Sequence, residues 1–188
     1  MEYTKHHLLK AAENIPIISV SQKPMNFGKN ICVGNIGRSH LNIYRQALRG
    51  AKEAKTRYIA MAEDDVLYSP GCFTRHTPTP GVFSYNRNVW CIYTWVKPAV
   101  FSFKDRINLY SLICERELFI EALEERFTKW PDDSKINIGM WAEPGKYEGP
   151  RHLGVTERKI EKFWSPTSNI AFSHQMLYHS LTWEQEKD

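Results

Sequence analysis

The sequence has few cysteines, no long apolar run and no internal repeat, and each absence excludes a class of protein. The 188-residue chain contains four cysteines, and none forms a Cys-x-x-Cys pair, so neither a structural zinc site nor a disulfide framework is expected. No apolar run approaches the ~18 residues that a membrane span needs, and no heptad pattern is sustained as in a coiled coil. The polar N-terminus holds no signal-peptide core, so we expect a cytoplasmic protein.

What is present fits one folded domain with a slightly basic charge. Hydrophobic residues make up 42% of the chain and charged residues 24%, a balance that supports a buried core and argues against disorder. The length matches a single domain over residues 1–188, with a polar tail at 184–188. The net charge of +4 is compatible with an anionic partner such as a nucleotide, a phosphate or a nucleic acid, without requiring one.

The hydrophobic pattern predicts a strand, a helix and a second strand in the first third of the chain. An apolar, β-branched run at 15–21 predicts a buried strand. Ser39 as an N-cap and apolar residues at helical spacing predict a helix over 39–54. The apolar run at 57–62 predicts another buried strand. Short connections make this a βαβ unit, whose two strands are expected to be parallel.

The remainder predicts short strands, loops and further helices around the same sheet. Strands are expected at 81–85, 89–95, 100–103, 109–114 and 168–174, helices at 4–13, 115–128 and near 156–163, and a polar loop at 22–38. The fold class expected from these elements is α/β with a mostly parallel central sheet and flanking helices.

Three adjacent acids at the carboxyl end of the second predicted strand are the strongest functional signal. Glu63, Asp64 and Asp65 repel one another unless a positive group lies beside them. In extended chain, Glu63 and Asp65 point to one side and Asp64 to the other. Carboxylates suit hard cations such as Mg²⁺, and open α/β sheets bind ligands beyond the carboxyl ends of their strands. A metal site is therefore favoured over the alternative, a solvated acidic turn.

The strand at 15–21, the helix from Ser39 and the run from Tyr58 to Asp65 resemble the nucleotide-sugar half of the GT-A glycosyltransferases, family 2 in particular. The hallmark of that family is an Asp-x-Asp-type motif after a buried strand. The resemblance implies a Rossmann-like GT-A fold, with a nucleotide-sugar half at about 1–70 and an acceptor half at about 71–183. A family member begins with an earlier strand that holds the base, and no counterpart is recognised before residue 15.

The resemblance also implies a set of ligands. It implies a Mn²⁺ or Mg²⁺ ion and a nucleotide-diphospho-sugar donor, expected to be a UDP-sugar. Asp65 becomes a metal ligand, with Glu63 as a further ligand or a neighbour of the donor ribose and Asp64 in close support. The stretch from Asn169 to His174 is similar to one in which the family supplies a late metal-binding His. The alternative for His174 is a structural histidine, with His179 as its nearest competitor.

Two more residues are candidates on the donor side. Arg38 precedes the predicted helix N-terminus, where a cation and the helix end would together neutralise a diphosphate. The alternative for Arg38 is an ordinary surface-loop residue. Gln22, which follows the first predicted strand, is placed with Arg38 as a donor-binding candidate.

An inverting transferase also needs a carboxylate base to take the acceptor proton, and the family order implies a base between the acidic motif and the late His. Asp132, Asp133, Glu143 and Glu148 satisfy that order. Glu143 is favoured because its approach is apolar and Pro144-Gly145 follows, and Glu148 is second. The aromatic residues between 83 and 103 are candidates for stacking on an acceptor, with a plain β core as the alternative.

The expected function is thus a metal-dependent, inverting transfer of a sugar from a UDP-sugar to an unknown acceptor. A saccharide, a lipid, a protein and a modified phage DNA base all fit as acceptors. One alternative is a degenerate GT-A-like domain that binds a ligand without catalysis. A metal-dependent phosphodiesterase is the other, although a second carboxylate cluster for a two-metal site is not recognised.

Overall fold

The computed structural model describes residues 2–37, 39–132, 143–145 and 153–173, and every structural statement below refers to these residues. They form a mixed α/β fold of short strands with helices packed against them. The helices are α1 (Glu2–Ala12), α2 (His40–Glu53) and α3 (Arg116–Lys129). The strands are β1 (Ile18–Ser21), β2 (Lys29–Cys32), β3 (Tyr58–Ala60), β4 (Val66–Leu67), β5 (Phe83–Asn86), β6 (Val89–Tyr93), β7 (Val100–Phe103), β8 (Leu112–Glu115), β9 (Ile160–Phe163) and β10 (Asn169–Ser173).

The described strands are arranged in three sheets of mixed direction. β1 pairs with β2, and the two larger sheets have the orders β3-β8-β5-β9 and β4-β10-β6-β7. β8 runs antiparallel to both of its neighbours, β3 and β5, whereas β9 runs parallel to β5. β3, β5 and β9 therefore point the same way, and their carboxyl ends lie at one edge of their sheet. That edge positions the candidate site.

The predicted parallel pairing between the strands at 15–21 and 57–62 is wrong. In the described chain, β1 pairs in parallel with β2, which lies inside the segment expected to be a loop, and β3 pairs with β8. The ladders of the β3 sheet are not mostly parallel, because β8 enters between β3 and β5 in the opposite direction. Pairing partners depend on contacts distant in sequence, which the local pattern does not specify.

The predicted helix at 39–54 is confirmed almost to the residue. The Ser39 hydroxyl accepts a hydrogen bond from the Asn42 backbone N–H at 3.1 Å and so caps α2. Leu41, Tyr44 and Ala51 are buried on one face of this helix. Part of that face packs with residues of α3, β5 and β8 in one apolar cluster. The two helices thus cover the β3-β8-β5-β9 sheet.

Most of the other predicted elements are present, and one has the wrong type. The helices at 4–13 and 115–128 correspond to α1 and α3, and the predicted strands beyond residue 80 correspond to β5, β6, β7, β8 and β10. The strand expected from residue 109 begins only at Leu112, after a 3-10 turn. The helix expected near 156–163 is instead β9, because Ile160–Phe163 pairs with Phe83–Asn86 and this tertiary pairing overrides local propensity.

Candidate active site

The acidic motif lies directly beyond β3, at the edge where β5 and β9 also end. Glu63 and Asp65 are half-buried and Asp64 is exposed, which agrees with the alternation that the sequence predicted. The motif also connects β3 of one large sheet to β4 of the other. The three acids therefore lie at the junction of the two sheets.

Backbone hydrogen bonds attach the acidic motif to both sheets. The Glu63 backbone N–H donates to the Tyr68 hydroxyl at 2.9 Å, and that hydroxyl donates to the Tyr110 carbonyl at 3.3 Å. The Phe172 N–H of β10 donates to the Asp65 carbonyl at 2.8 Å. Tyr68 is itself buried, so the backbone of the motif is held in one position.

The pKa of Glu63 is raised by burial and by the carboxylates near it. Burial raises the pKa of Glu63 from its ordinary value of 4.5 to about 8, and repulsion from Asp65, Glu143 and Asp64 adds to the shift. Without a cation, Glu63 therefore holds its proton at neutral pH. A positive ion placed beside the carboxylates would favour the ionised form.

Glu143, the favoured base, is brought to the same region from a distant part of the chain, since its charge acts on Glu63. The Tyr44 hydroxyl of α2 donates a hydrogen bond to Glu143 Oε2 at 3.1 Å. Burial raises the pKa of Tyr44 well above its ordinary value, and the negative charge of Glu143 adds to the shift. Tyr44 thus stays protonated and remains a donor.

The segment 143–145 is fixed against β5 and β9. The Tyr85 hydroxyl donates to the Pro144 carbonyl at 2.6 Å, and Tyr85 is fully buried. Gly145 has a φ of +80°, and a Cβ there would lie 2.6 Å from Ile160 Cγ2 and 2.9 Å from Phe83 Cδ2. Only glycine combines this backbone angle with so close an approach. The position of Glu143 is thus set by packing on both sides.

Arg126 is a buried cation near Glu143 that the local sequence pattern did not single out. Its guanidinium carbon lies 5.0 Å from the centroid of the Tyr44 ring, and only 3% of the residue is exposed. Burial lowers the pKa of Arg126, whereas the charges of Tyr44 and Glu143 act in the opposite direction. Arg126 follows Phe119 and Leu123 on the buried face of α3. The sequence signal that could have identified it is an arginine at a position where helical spacing predicts a buried apolar residue.

Of the other sequence candidates, Gln22 and Asp132 are the two that lie within the described residues, and neither is brought into this group. Gln22 organises the loop after β2, because its side chain donates to the Gly37 carbonyl at 3.0 Å and accepts from the Ile36 N–H at 3.1 Å. Asp132 is exposed. The candidates that lie outside the described residues are Arg38, Asp133, Glu148, His174 and His179.

The aromatic residues between 83 and 103 divide into two sets. Phe83 and Tyr85 are buried in the apolar core. Trp90, Phe101 and Phe103 are exposed on β6 and β7. The plain-core alternative therefore holds for the first set and does not hold for the second.

The described carboxylates are suitable ligands for a metal ion, but they do not form a complete coordination site. Glu63 and Asp65 offer carboxylate oxygens, which are the donors that Mg²⁺ and Mn²⁺ prefer. Among the residues that the structure describes, no group of three His, Cys, Asp or Glu side chains is placed to hold a metal ion. The expected further ligand, His174, lies outside them. The donor set thus suits a hard cation but supplies only part of its coordination.

Comparison with known proteins finds no match among family models or among curated protein sequences. None of the described helices combines the length and apolar character needed to cross a bilayer. Any assignment of function therefore rests on the geometry of the site.

Proposed function

We propose that the chain is a metal-dependent glycosyltransferase that moves a sugar from a nucleotide-diphospho-sugar, expected to be a UDP-sugar, to an acceptor hydroxyl. One observation carries the proposal: the charge of Glu143 acts on Glu63, whose motif follows β3 at the edge where three strands of like direction end. In open α/β sheets, ligands bind beyond the carboxyl ends of strands that share a direction, and β3, β5 and β9 share theirs here. The resemblance of the motif to that of the GT-A transferases supports the same conclusion.

In this proposal, the two sides of the site have different tasks. Asp65 and Glu63 would hold a Mn²⁺ or Mg²⁺ ion, which would supply positive charge to the leaving diphosphate. Glu143 takes the proton of the acceptor hydroxyl as its oxygen bonds to the anomeric carbon. The bond from that carbon to the diphosphate breaks at the same time, and the diphosphate leaves with the electron pair.

Neighbouring groups on the helices prepare Glu143 for that task. The Tyr44 hydroxyl orients one carboxylate oxygen through its hydrogen bond. Arg126, whose guanidinium carbon lies 5.0 Å from the centroid of the Tyr44 ring, supplies positive charge that compensates the carboxylate. A base held by packing and hydrogen bonds reaches the proton in a defined geometry.

A second candidate is a domain that binds a ligand without catalysis. The described carboxylates without a complete group of three ligands are compatible with both candidates. The two functions differ in metal-dependent release of nucleotide from a donor sugar. A transferase deprived of its acceptor would hydrolyse the donor slowly, whereas a binding domain would leave it intact.

The test is a calorimetric titration of the protein with UDP and UDP-glucose, with and without Mn²⁺. Asp65→Asn is expected to abolish metal-dependent binding because it removes a charged ligand. The matched control, Glu13→Gln, removes one exposed negative charge outside the motif and should bind like the parent. Absence of nucleotide binding with any divalent ion would reject the proposal. Binding without donor hydrolysis or transfer would favour the second candidate.

A further inference from the structure

Trp164 is an exposed tryptophan at the same edge of the sheet as the acidic motif. It directly follows β9, and 59% of the residue is exposed. Because β3, β5 and β9 point the same way, the residues that follow β3 and β9 lie at one edge. The acidic motif follows β3 at this edge. Trp164 therefore lies where a ligand bound beyond the carboxyl ends of these strands would meet it.

Trp164 also lies on the face of the sheet against which Glu143 is held. A Cβ at Gly145 would lie 2.6 Å from Ile160 Cγ2, so the turn that carries Glu143 lies on the Ile160 side of β9. Side chains alternate along a strand, so Lys162 and then Trp164 follow Ile160 on that side. Both are exposed. Glu143, Lys162 and Trp164 therefore share one face.

The turn that carries Glu143 extends from the acidic motif towards β9. The charge of Glu143 acts on Glu63, which follows β3. The Tyr85 hydroxyl of β5 donates to the Pro144 carbonyl at 2.6 Å, and β9 is the next strand beyond β5. Trp164 is one strand spacing across and two residues along from Tyr85, or roughly 8 Å between Cα atoms. One sugar ring with its hydroxyl groups bridges a gap of this order.

The direction of the proposed reaction determines on which side the acceptor lies. In the expected inverting transfer, the acceptor oxygen attacks the anomeric carbon on the side opposite the leaving diphosphate. The diphosphate belongs with the acidic motif, and the acceptor oxygen belongs with the base, Glu143. The acceptor therefore lies beyond Glu143 from the acidic motif, on the side of β9, where Trp164 is exposed.

The charges of the site favour a neutral acceptor. The acidic motif and Glu143 bring carboxyl groups into one region, and the diphosphate of a bound donor adds further negative charge there. Like charges repel one another. A nucleic acid carries a negative phosphate at every nucleotide, so it would be repelled from this region.

The side chains on the shared face favour a ring with hydroxyl groups over a hydrocarbon chain. An indole ring packs against apolar groups, whereas the ammonium group of Lys162 donates hydrogen bonds. A pyranose matches both, because it has faces of C–H groups and a rim of hydroxyl groups. A hydrocarbon chain would displace water from Lys162 without replacing the hydrogen bonds to it.

We propose that the indole of Trp164 stacks on the sugar ring of a neutral saccharide acceptor, one hydroxyl of which reaches Glu143. Lys162 donates hydrogen bonds to other hydroxyl groups of that ring. The acceptor oxygen bonds to the anomeric carbon, its proton passes to Glu143, and UDP leaves with the electron pair of the broken bond. This acceptor class rests on the proposed glycosyltransferase function, which it makes more specific.

Fluorine NMR of protein labelled with 5-fluorotryptophan tests contact with the indole directly. The label gives a resonance for each of the six tryptophans, and the one that Trp164→Phe lacks belongs to Trp164. We expect a mixture of the methyl pyranosides of glucose, galactose, mannose, xylose and N-acetylglucosamine to shift this resonance in the presence of UDP and Mg²⁺. Sorbitol, an open-chain polyol without a rigid ring face, should not shift it.

Two exposed tryptophans supply matched variants for kinetics with UDP-glucose, UDP-galactose and UDP-N-acetylglucosamine as donors. Trp164→Ala should raise KM for the methyl pyranoside about tenfold, because the stacking contact is lost. Trp164→Phe keeps an aromatic ring and should restore most of the affinity. Trp95→Ala removes a tryptophan that is 40% exposed between β6 and β7, and KM should not change. Thermal unfolding should be the same for all variants and the parent.

Several outcomes would overturn the saccharide assignment. An unshifted Trp164 resonance with the methyl pyranosides, or an equal shift with sorbitol, would show that no sugar ring stacks there. Faster transfer to a serine-containing peptide, a fatty alcohol or hydroxymethylated DNA than to the methyl pyranosides would assign another acceptor class. A loss of thermal stability in Trp164→Ala but not in Trp95→Ala would show that the indole packs within the fold.

Calorimetric titration with UDP separates this proposal from the proposed function. The tryptophan variants should bind UDP with Mn²⁺ as the parent does. Absence of UDP binding by the parent would reject the glycosyltransferase and with it the acceptor role of Trp164. UDP binding without a saccharide-induced shift at Trp164 would reject the acceptor role alone.

Discussion

Burial and the neighbouring carboxylates strongly alter the ionisation of Glu63. Its folded-state pKa of about 8 lies above its ordinary value of 4.5, so the folded protein holds more protons than the unfolded chain between those two values. The contribution of Glu63 to the free energy of unfolding therefore falls as pH rises through this window. Below it, Glu63 is protonated in both states and adds no penalty.

Glu63→Gln is expected to remove this pH-dependent penalty. In buffer without divalent ions, the variant should be more stable than the parent at pH 9 by roughly 2–4 kcal/mol and equally stable at pH 4. Urea denaturation at both pH values measures the difference. An equal stability difference at pH 4 and pH 9 would contradict a raised pKa of Glu63 as the cause.

The same carboxyl group predicts proton release on metal binding. At pH 7, Glu63 carries a proton in the absence of a cation, and a metal ligand must be ionised. Binding of Mn²⁺ should therefore release up to about one proton, and the release should diminish above pH 9. Calorimetry in two buffers of different ionisation enthalpy counts the protons. Glu63→Gln should bind Mn²⁺ more weakly and release none, and a buffer-independent heat in the parent would oppose the prediction.

A substitution of Glu143 distinguishes its role in catalysis from a role in donor binding. Glu143→Gln keeps a hydrogen-bond acceptor for the Tyr44 hydroxyl but removes the base. The transfer rate should fall about 10²- to 10⁴-fold while the affinity for UDP and Mn²⁺ changes little. Steady-state kinetics and calorimetry measure the two quantities. An equal loss in both would make Glu143 a donor-binding residue instead.

At the scale of elements, the turn at 143–145 shows how packing positions a functional side chain. Gly145→Ala would introduce a Cβ that meets Ile160 and Phe83 and would strain a backbone with positive φ. We expect a loss of about 2–3 kcal/mol in the free energy of unfolding, together with slower transfer as Glu143 is displaced.

Gly81→Ala is the control for that substitution. Gly81 has a similar φ of +74°, but a Cβ there would meet nothing within 4 Å. Its cost should be about 1 kcal/mol, from backbone strain alone, with no effect on transfer. Equal costs at the two positions, by urea denaturation, would remove packing as the cause at Gly145.

For the whole molecule, the acidic motif connects two sheets, each with its own apolar cluster. One apolar cluster contains β5, β8, α2 and α3, and the other contains Ala11, Val66, Tyr68, Val89 and Ala171. Residues 63–65 connect β3 to β4 and so pass from one sheet to the other. Tyr68 of the second cluster holds the Glu63 backbone. The relative position of the two sheets therefore sets the geometry of the acidic motif.

Tyr68→Phe tests whether the hydrogen bonds of the Tyr68 hydroxyl fix the acidic motif. The buried hydroxyl bonds to both the Glu63 N–H and the Tyr110 carbonyl, and its removal leaves both without that partner. We expect a loss of about 1–2 kcal/mol in stability and weaker binding of Mn²⁺, measured by urea denaturation and calorimetry. Tyr3→Phe, at an exposed tyrosine, is the control. Unchanged metal affinity in Tyr68→Phe would show that the motif keeps its geometry without this bond.

Local patterns in the sequence were sufficient for much of the secondary structure and for the acidic motif. Helical spacing and a cap at Ser39 predicted α2, and strand alternation predicted the half-buried positions of Glu63 and Asp65 with Asp64 outside. These features depend on neighbours within a few positions of the chain. Glu143 was also favoured from its local sequence, although nothing local placed it near Glu63.

The tertiary structure alone decided what lies next to what. The parallel partner of β1 proved to be β2, β8 entered between β3 and β5, and the predicted helix near residue 160 became a strand beside β5. The approach of Glu143 to the acidic motif, and of Arg126 to Glu143, appear only once distant segments are packed together. The physical reason is that pairing, burial and charge interaction act between residues far apart in the chain, whereas helix capping and alternation act between neighbours.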